Sequence, residues 1–173
     1  MKGPRQSATT WMRVVRGLVG FRVASGPLFL WTYVADRRIA VVCLGVAGCL
    51  TDGLDGYIAR RGGRVSGVGS YAGASADFVL VTSAFLAFVL SGLYPWWILL
   101  VIGGVFAQFI LTSGPQGPLY DAVGKYYGIF LYGAVLLTLL APIPDVRTAV
   151  LAGLLVLTIV AVGRRFLLLM RSR

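Results

Sequence analysis

Three aspartates in one short window are the residues of this chain best suited to chemistry. The sequence has six acidic residues and no histidine, yet Asp52, Asp55 and Asp77 lie close together between apolar runs. On a helix, Asp52 and Asp55 share a face, and Gly56 leaves room for a ligand to approach the backbone. Close carboxylates repel unless a cation holds them, and hard oxygen ligands suit magnesium, manganese or calcium rather than zinc. The pattern predicts metal-assisted phosphate chemistry.

The composition indicates which elements must position these aspartates. Hydrophobic residues make up 58% of the chain, charged residues 13%, and the mean hydropathy is +0.84. Soluble domains are about 45–50% apolar, so we expect an integral membrane protein. At about 20 residues per span, 173 residues accommodate roughly six helices joined by short loops. We predict an all-α bundle of about six transmembrane helices at 17–173, preceded by a basic juxtamembrane segment at 1–16.

Apolar runs and the residues that break them predict the individual spans. Their approximate bounds are 17–35, 39–58, 71–93, 98–113, 123–141 and 148–162. A Gly- and Arg-rich loop is predicted at 59–70. We expect these spans to form one domain without repeats.

Loop charge predicts the orientation of the bundle. With both termini inside, twelve of the sixteen Lys and Arg residues lie on the cytoplasmic side, so we expect cytoplasmic termini. This orientation places the three aspartates, Arg60 and Lys125 at the same cytoplasmic membrane edge. Topology and anionic lipid headgroups then explain the net charge of +10, and nucleic acid is not an expected partner.

The spacing of the aspartates resembles a family signature. The pattern D-x-x-D-G-x-x-A-R runs from Asp52 to Arg60, and eight residues separate it from Gly69, which is followed by Asp77. This resembles the signature of the CDP-alcohol phosphotransferases, also called CDP-alcohol phosphatidyltransferases. That signature continues as G-x-x-x-D-x-x-x-D, so the chain matches every fixed position but one. Gly73 stands where the third aspartate is expected.

The resemblance implies a reaction and a metal site. The implied reaction transfers a phosphatidyl group from a CDP-linked lipid to an alcohol acceptor and releases CMP, as part of phospholipid biosynthesis by a homodimer in the membrane. Asp52, Asp55 and Asp77 would bind the divalent metal, magnesium or manganese. Asp77, the last aspartate of the signature, would be the general base. Because Gly73 removes one carboxylate, we expect a second cation to bind poorly or not at all.

The resemblance also implies residues that bind the nucleotide and the acceptor. Gly56 and Ala59 would let the nucleotide lie against the helix, Arg60 would contact phosphate, and Gly69 belongs to the same motif. Lys125 resembles the first Lys of a G-K-x-K-T motif in phosphatidylglycerophosphate-type members, where it would bind a phosphorylated acceptor. An interfacial lysine that marks the inner membrane boundary is the other interpretation.

Arg22 lies inside the first predicted span. A charge there normally faces a partner or an aqueous cavity, and one of the aspartates is the obvious partner. Snorkelling of the side chain to the cytoplasmic surface is the alternative. Arg22 and Pro27 are also similar to the R-x-x-x-x-P of the family's first span.

Two other functions compete with the enzyme. One is a catalytically impaired family member that binds nucleotide-lipid or a partner through the surviving motif. The other is a small membrane carrier whose intramembrane charges line a substrate path. The carrier predicts flux across vesicles, whereas enzyme and impaired member both predict nucleotide binding, and only the enzyme releases CMP.

Overall fold

Six α-helices make up the part of the chain that the computed structural model describes. The description covers the backbone of residues 4–62, 67–113 and 122–171, and the side chains of 17–54, 71–113, 124–167 and 170. The helices are α1 (Pro4–Val34), α2 (Arg38–Gly62), α3 (Gly67–Leu90), α4 (Trp97–Thr112), α5 (Ala122–Leu140) and α6 (Pro144–Arg171). No strand occurs among the described residues. The all-α prediction is confirmed.

Several helix ends differ from the predicted bounds. Helix α1 begins at Pro4, so it continues into the segment predicted to be juxtamembrane. The bounds of the loop predicted at 59–70 are wrong, because residues 59–62 belong to α2 and residues 67–70 belong to α3. Ala and Arg at 59–61 favour helix. In an apolar environment a helix also satisfies backbone groups that a loop would leave unpaired. Helix α6 likewise continues to Arg171, beyond the predicted end at 162.

Helix α1 packs closely along α3. Its buried side repeats at helical spacing and comprises Arg22, Ser25, Gly26, Phe29 and Thr32. A Cβ at Gly26 would lie 3.0 Å from both Ser83 Oγ and Val79 Cγ1. The missing side chain at this position therefore lets the two helices approach, as small residues do in membrane bundles.

An aromatic cluster fills the half of the bundle away from the aspartates. Phe29 of α1 meets Phe88 of α3 edge-on, with ring centroids 6.3 Å apart. Phe85 meets Tyr94 edge-on at 5.7 Å. Such pairs stabilise by about 0.5–1.5 kcal/mol beyond their burial. This apolar packing fixes the helices at one end and leaves the polar residues to converge at the other.

Two stretches of the described residues are long and apolar enough to cross a membrane. They are Tyr71–Leu90 in α3 and Pro144–Leu167 in α6. Trp97–Thr112 and Gly124–Leu140 are apolar but shorter. Many large apolar side chains are exposed, among them Trp31, Leu111 and Ile159. The count of six spans and the orientation stay predictions.

Candidate active site

Four helices bring polar side chains together at one end of the bundle. Arg22 comes from α1, Asp52 from α2, Asp77 from α3 and Tyr132 from α5. Hydrogen bonds join all four into one network. The two described aspartates of the motif are thus brought to a common point, although they are distant in sequence.

Arg22 lies at the centre of the network. Its side chain is 1% exposed, and its Nη1 lies 3.3 Å from Asp52 Oδ1 and also donates to Asp77 Oδ1. The prediction that an aspartate is the partner of Arg22 is confirmed, and the snorkelling alternative is wrong. A buried cation needs such partners, because removing its counter-charges would leave it unpaired in a medium of low polarity.

Tyr132 fixes one oxygen of Asp77 from the opposite side. The buried Tyr132 hydroxyl donates to Asp77 Oδ1 at 2.7 Å, the oxygen that also accepts from Arg22. Within the described part of the chain, Asp77 Oδ2 accepts no hydrogen bond. The Asp77 and Asp52 side chains are 27% and 44% exposed. Two donors therefore hold Asp77 Oδ1, while Oδ2 has no hydrogen-bond partner among the described residues.

Gly48 explains how α2 comes close enough to carry Asp52 into the network. It lies one turn before Asp52, where a Cβ would overlap Leu80 Cδ2 of α3 and lie 3.6 Å from Tyr132 Cε1 of α5. The Thr51 hydroxyl donates to the Gly48 carbonyl at 2.9 Å and stays within α2. The glycine thus sets the distance between α2 and its two neighbours.

Gly73 occupies open space on α3. It lies one turn before Asp77, and a Cβ built there would have no atom within 4 Å. Packing therefore does not explain why the position lacks a side chain. Phe78, which replaces a frequent lysine of the signature, does have a packing role. Its ring stacks on Phe106 of α4 with centroids 4.0 Å apart and 8° between the planes.

Lys125 lies in the first turn of α5, about two turns before Tyr132, with an exposed side chain. Among the described residues it takes part in no ion pair, so its role stays a prediction. The side chains of the remaining predicted site residues lie outside the described part of the chain: Asp55, Gly56, Ala59 and Arg60, in α2, and Gly69, in α3. Their roles stay predictions as well.

The donor set at this end fits a divalent cation. Asp52 and Asp77 offer hard carboxylate oxygens on partly exposed side chains, and Asp55 follows Asp52 by three positions in α2. Arg22 already neutralises part of their charge from the buried side. No group of three metal-binding side chains occurs among the described residues. A site of three carboxylates would also require Asp55, whose side chain lies outside the described residues.

Arg165 of α6 is a second buried arginine. Its Nη2 donates to Ser113 Oγ at 3.1 Å and to the Phe109 carbonyl at 3.4 Å. Its guanidinium lies 5.1 Å from the centre of the Phe109 ring, a cation–π arrangement. Arg165 thus binds α6 to the C-terminal end of α4.

The sequence did not identify Tyr132 as a site residue. A tyrosine in an apolar run is typical of a core or of an interfacial anchor. Tyr71, Tyr126 and Tyr127 lie closer than Tyr132 to the predicted ends of their spans. The available signal was a hydroxyl well inside the fifth predicted span. A buried tyrosine hydroxyl usually finds a hydrogen-bond partner, and an aspartate is one.

Comparison with known proteins agrees with the motif. The family model for CDP-alcohol phosphatidyltransferase matches residues 14–161. A CDP-diacylglycerol–glycerol-3-phosphate 3-phosphatidyltransferase of Sodalis glossinidius (strain morsitans) is 30% identical over 107 residues, which are 60% of this chain and 55% of the relative. Probable phosphatidylglycerophosphate synthases of two Mycobacterium tuberculosis strains, CDC 1551 / Oshkosh and ATCC 25618 / H37Rv, are 31% identical over 65 residues.

The extent of these matches differs. The chain spans about half the length of the Sodalis relative. The match to each mycobacterial relative covers 31% of that relative and 38% of this chain. The family model, by contrast, covers most of the chain and includes Arg22, Asp52, Asp77 and Tyr132. The chain belongs to the CDP-alcohol phosphatidyltransferase family.

Proposed function

We propose that this chain transfers a phosphatidyl group from a CDP-linked lipid to an alcohol acceptor and releases CMP, as a step of phospholipid synthesis. The observation that carries the proposal is the convergence of Asp52 and Asp77 on Arg22, with Asp77 Oδ2 free of hydrogen bonds from the described residues. Membership of the family supports the same reaction. The printed name of the Sodalis relative makes glycerol 3-phosphate the first acceptor to test.

Asp52, Asp55 and Asp77 would hold the divalent cation, magnesium or manganese, on the exposed side of the network. When bound there, such a cation neutralises charge on the diphosphate and stabilises the departing nucleotide. Arg22 is the chain's own fixed positive charge at the site. It keeps Asp52 and Asp77 close together, which two unpaired carboxylates would resist.

Asp77 would act as the general base. Arg22 and Tyr132 both donate to Oδ1, so Oδ2 can accept the proton of the acceptor hydroxyl. The hydroxyl oxygen then bonds to the phosphorus that carries the lipid. The bond from that phosphorus to the bridging oxygen breaks, and CMP leaves with the electron pair. No covalent enzyme intermediate is needed.

The remaining motif residues would bind the substrates. Gly56 and Ala59 of α2 would let the nucleotide lie along the helix, and Arg60 would contact its phosphate. Gly69, in the first turn of α3, would bind the nucleotide as part of the same motif. Lys125 would bind a phosphate of the acceptor. Its exposed position at the start of α5 is compatible with this role.

We place the chain in the membrane with six spans, cytoplasmic termini and the aspartates at the cytoplasmic edge, as a homodimer. The distribution of Lys and Arg supports the orientation. The two membrane-length apolar stretches and the exposed apolar side chains support insertion. Short apolar helices such as α4 are near the lower limit of about 17 residues for a span.

Gly73 favours a second candidate, a family member that binds CDP-lipid without turnover. A lost carboxylate lowers the negative charge available to offset cations. The space around Gly73 is open, so water or substrate phosphate could take the position. Binding without release of CMP would distinguish this candidate from the enzyme.

The test is CMP release by the purified chain in lipid, with CDP-diacylglycerol, magnesium or manganese, and a panel of acceptors. We expect acceptor-dependent release that falls about 100-fold or more in Asp77→Asn and Asp52→Asn. Asp36→Asn makes the same chemical change at the opposite end and should leave release unchanged.

Each alternative predicts its own result in this assay. No release for any acceptor, together with binding of the CDP-lipid, would refute turnover and support the non-catalytic candidate. Flux of a solute across vesicles without dependence on CDP-lipid would support the carrier.

A further inference from the structure

Two adjoining cavities lie at the end of the bundle opposite Asp52 and Asp77. Their volumes are about 260 Å³ and about 70 Å³, and they share Leu93, Thr138 and Pro142 as lining residues. The turns between α1 and α2, α3 and α4, and α5 and α6 surround them. Together they reach the lower limit for a small-molecule site, which is roughly 300 Å³.

Three arginines line these cavities. Arg37 and Arg38 belong to the larger cavity and Arg147 to the smaller one. Asp36 is the one carboxylate among the described lining residues, and it pairs with Arg38 Nε at 3.4 Å. Within the described part of the chain, no ion pair involves Arg37 or Arg147. The cavities therefore carry an excess of positive charge.

The inner walls are apolar with a few hydroxyl groups. Val41, Val42, Phe88 and Leu139 line the larger cavity beside its arginines. Thr138, which belongs to both cavities, forms a 2.8 Å hydrogen bond with Tyr94. A ligand that fits must therefore be anionic at one end and apolar at the other.

The turn that carries the arginines is fixed by its backbone. Arg37 N–H donates to the Thr32 carbonyl at 2.9 Å and Asp36 N–H to the Tyr33 carbonyl at 3.1 Å, as in a Schellman motif. Asp36 has the left-handed φ of 52° that this motif requires. A fixed turn lowers the entropy lost when a ligand binds.

We propose that the two cavities bind the headgroup of an anionic phospholipid that is not the substrate. The arginines contact its phosphate and the apolar walls contact its glycerol and the start of an acyl chain. Free phosphate would leave those walls without a partner, so a lipid fits the whole lining better. This site lies at the end of the bundle opposite the aspartates, which is the other membrane face in the proposed topology, and thus is additional to the proposed reaction.

The test is thermal unfolding of the full chain in neutral detergent, titrated with lipids of identical acyl chains. We expect phosphatidylglycerol to raise the unfolding midpoint by a few degrees, because a ligand of the native state stabilises it. Phosphatidylcholine and inorganic phosphate should have little effect. The pair Arg37→Gln and Arg147→Gln together should weaken the apparent affinity roughly 10- to 30-fold, at about 1 kcal/mol per arginine.

The controls separate this site from the catalytic end. Arg164→Gln removes an exposed arginine near the opposite end and should keep the full effect of phosphatidylglycerol. Arg37→Lys should keep most of it, and CMP release by the Gln pair should be unchanged. An equal shift with phosphatidylcholine, an equal shift with phosphate alone, or an unweakened affinity in the Gln pair would each overturn the proposal.

Discussion

Arg22 is an internal counter-ion that two carboxylates share. Its burial is nearly complete, and its Nη1 contacts both Asp52 and Asp77. Removing one partner of a buried ion pair destabilises proteins by about 3–5 kcal/mol, more than the intact pair contributes. Both carboxylates are partly exposed, so here we expect the lower end of that range.

Arg22→Gln should therefore lower the free energy of unfolding by about 3 kcal/mol, because Asp52 and Asp77 then face each other without the cation. Magnesium should restore part of the loss by holding the two carboxylates instead. Thermal unfolding with and without magnesium measures both effects. Arg164→Gln, at an exposed position of α6, should change neither. Equal midpoints for the two variants would contradict the role of Arg22.

Tyr132→Phe removes one donor to Asp77 Oδ1 while it keeps the ring. We expect a loss of about 1 kcal/mol in stability and a fall of roughly tenfold in kcat, because Asp77 is less well oriented. Tyr127→Phe is the matched control, since Tyr127 is also buried in α5 but bonds to Thr158 at 3.2 Å. Steady-state CMP release compares the two. A similar fall in Tyr127→Phe would show that the effect is structural.

Gly73→Asp restores the aspartate of the signature in open space, so the variant should fold normally. An added carboxylate one turn before Asp77 should tighten manganese binding about tenfold or create a second site. Manganese electron paramagnetic resonance counts bound ions without relying on activity. Gly73→Asn, which has the same shape without the charge, should bind as the native chain does. Identical manganese binding by Gly73→Asp and Gly73→Asn would show that a carboxylate at position 73 does not contribute to metal binding.

At the scale of the elements, Gly48 determines how closely α2 packs. A Cβ there would overlap Leu80, which is buried in α3 and has little room to move. Gly48→Ala should lower stability by about 1–3 kcal/mol, as overpacking does, and should reduce CMP release by moving Asp52. Gly53→Ala is the control on the same helix, where a Cβ meets nothing within 4 Å. Thermal unfolding of both variants checks the difference.

Sequence patterns predicted the number of helices better than they predicted the helix ends. Apolar runs separated by Gly and Pro predicted six helices, because those residues interrupt hydrogen bonding and favour turns. The same rule failed at both ends of the predicted loop 59–70, because α2 continues to Gly62 and α3 begins at Gly67. Glycine is a weak helix breaker when tertiary context opposes it. Helix ends depend on that context, which local composition does not contain.

At the scale of the whole molecule, the proposed six-span topology predicts which positions each side of the membrane exposes. In the variant Trp96→Cys, the new thiol lies in the turn between α3 and α4 and should react with an impermeant thiol reagent added outside intact cells. In the variant Arg164→Cys, the new thiol should react only after the membrane is permeabilised. Both need a background in which the free Cys43 and Cys49 are changed to Ala. The opposite pattern of labelling would reverse the orientation.

The candidate site was predictable in part. The spacing of Asp52 and Asp77 indicated a shared function, because acids are rare in this chain and unfavourable in apolar spans. The sequence predicted one aspartate as the ion-pair partner of Arg22, whereas the structure shows both Asp52 and Asp77 in that role. The second pair was not predictable because it depends on how α1, α2 and α3 pack. Tyr132 was missed for the same reason. Its hydroxyl becomes a site group only when α5 packs beside α3.

The contact between Arg22 and Asp77 also has a consequence for biosynthesis. The two residues are 55 positions apart, so at 5–20 residues per second the ribosome needs roughly 3 to 11 seconds between them. During that interval α1 carries an arginine whose insertion alone costs about 2.5–3.5 kcal/mol. Helix α1 should therefore stay at the translocon or the membrane surface until α3 emerges. In the proposed topology, α1 would therefore be the last of the first three helices to insert into the bilayer.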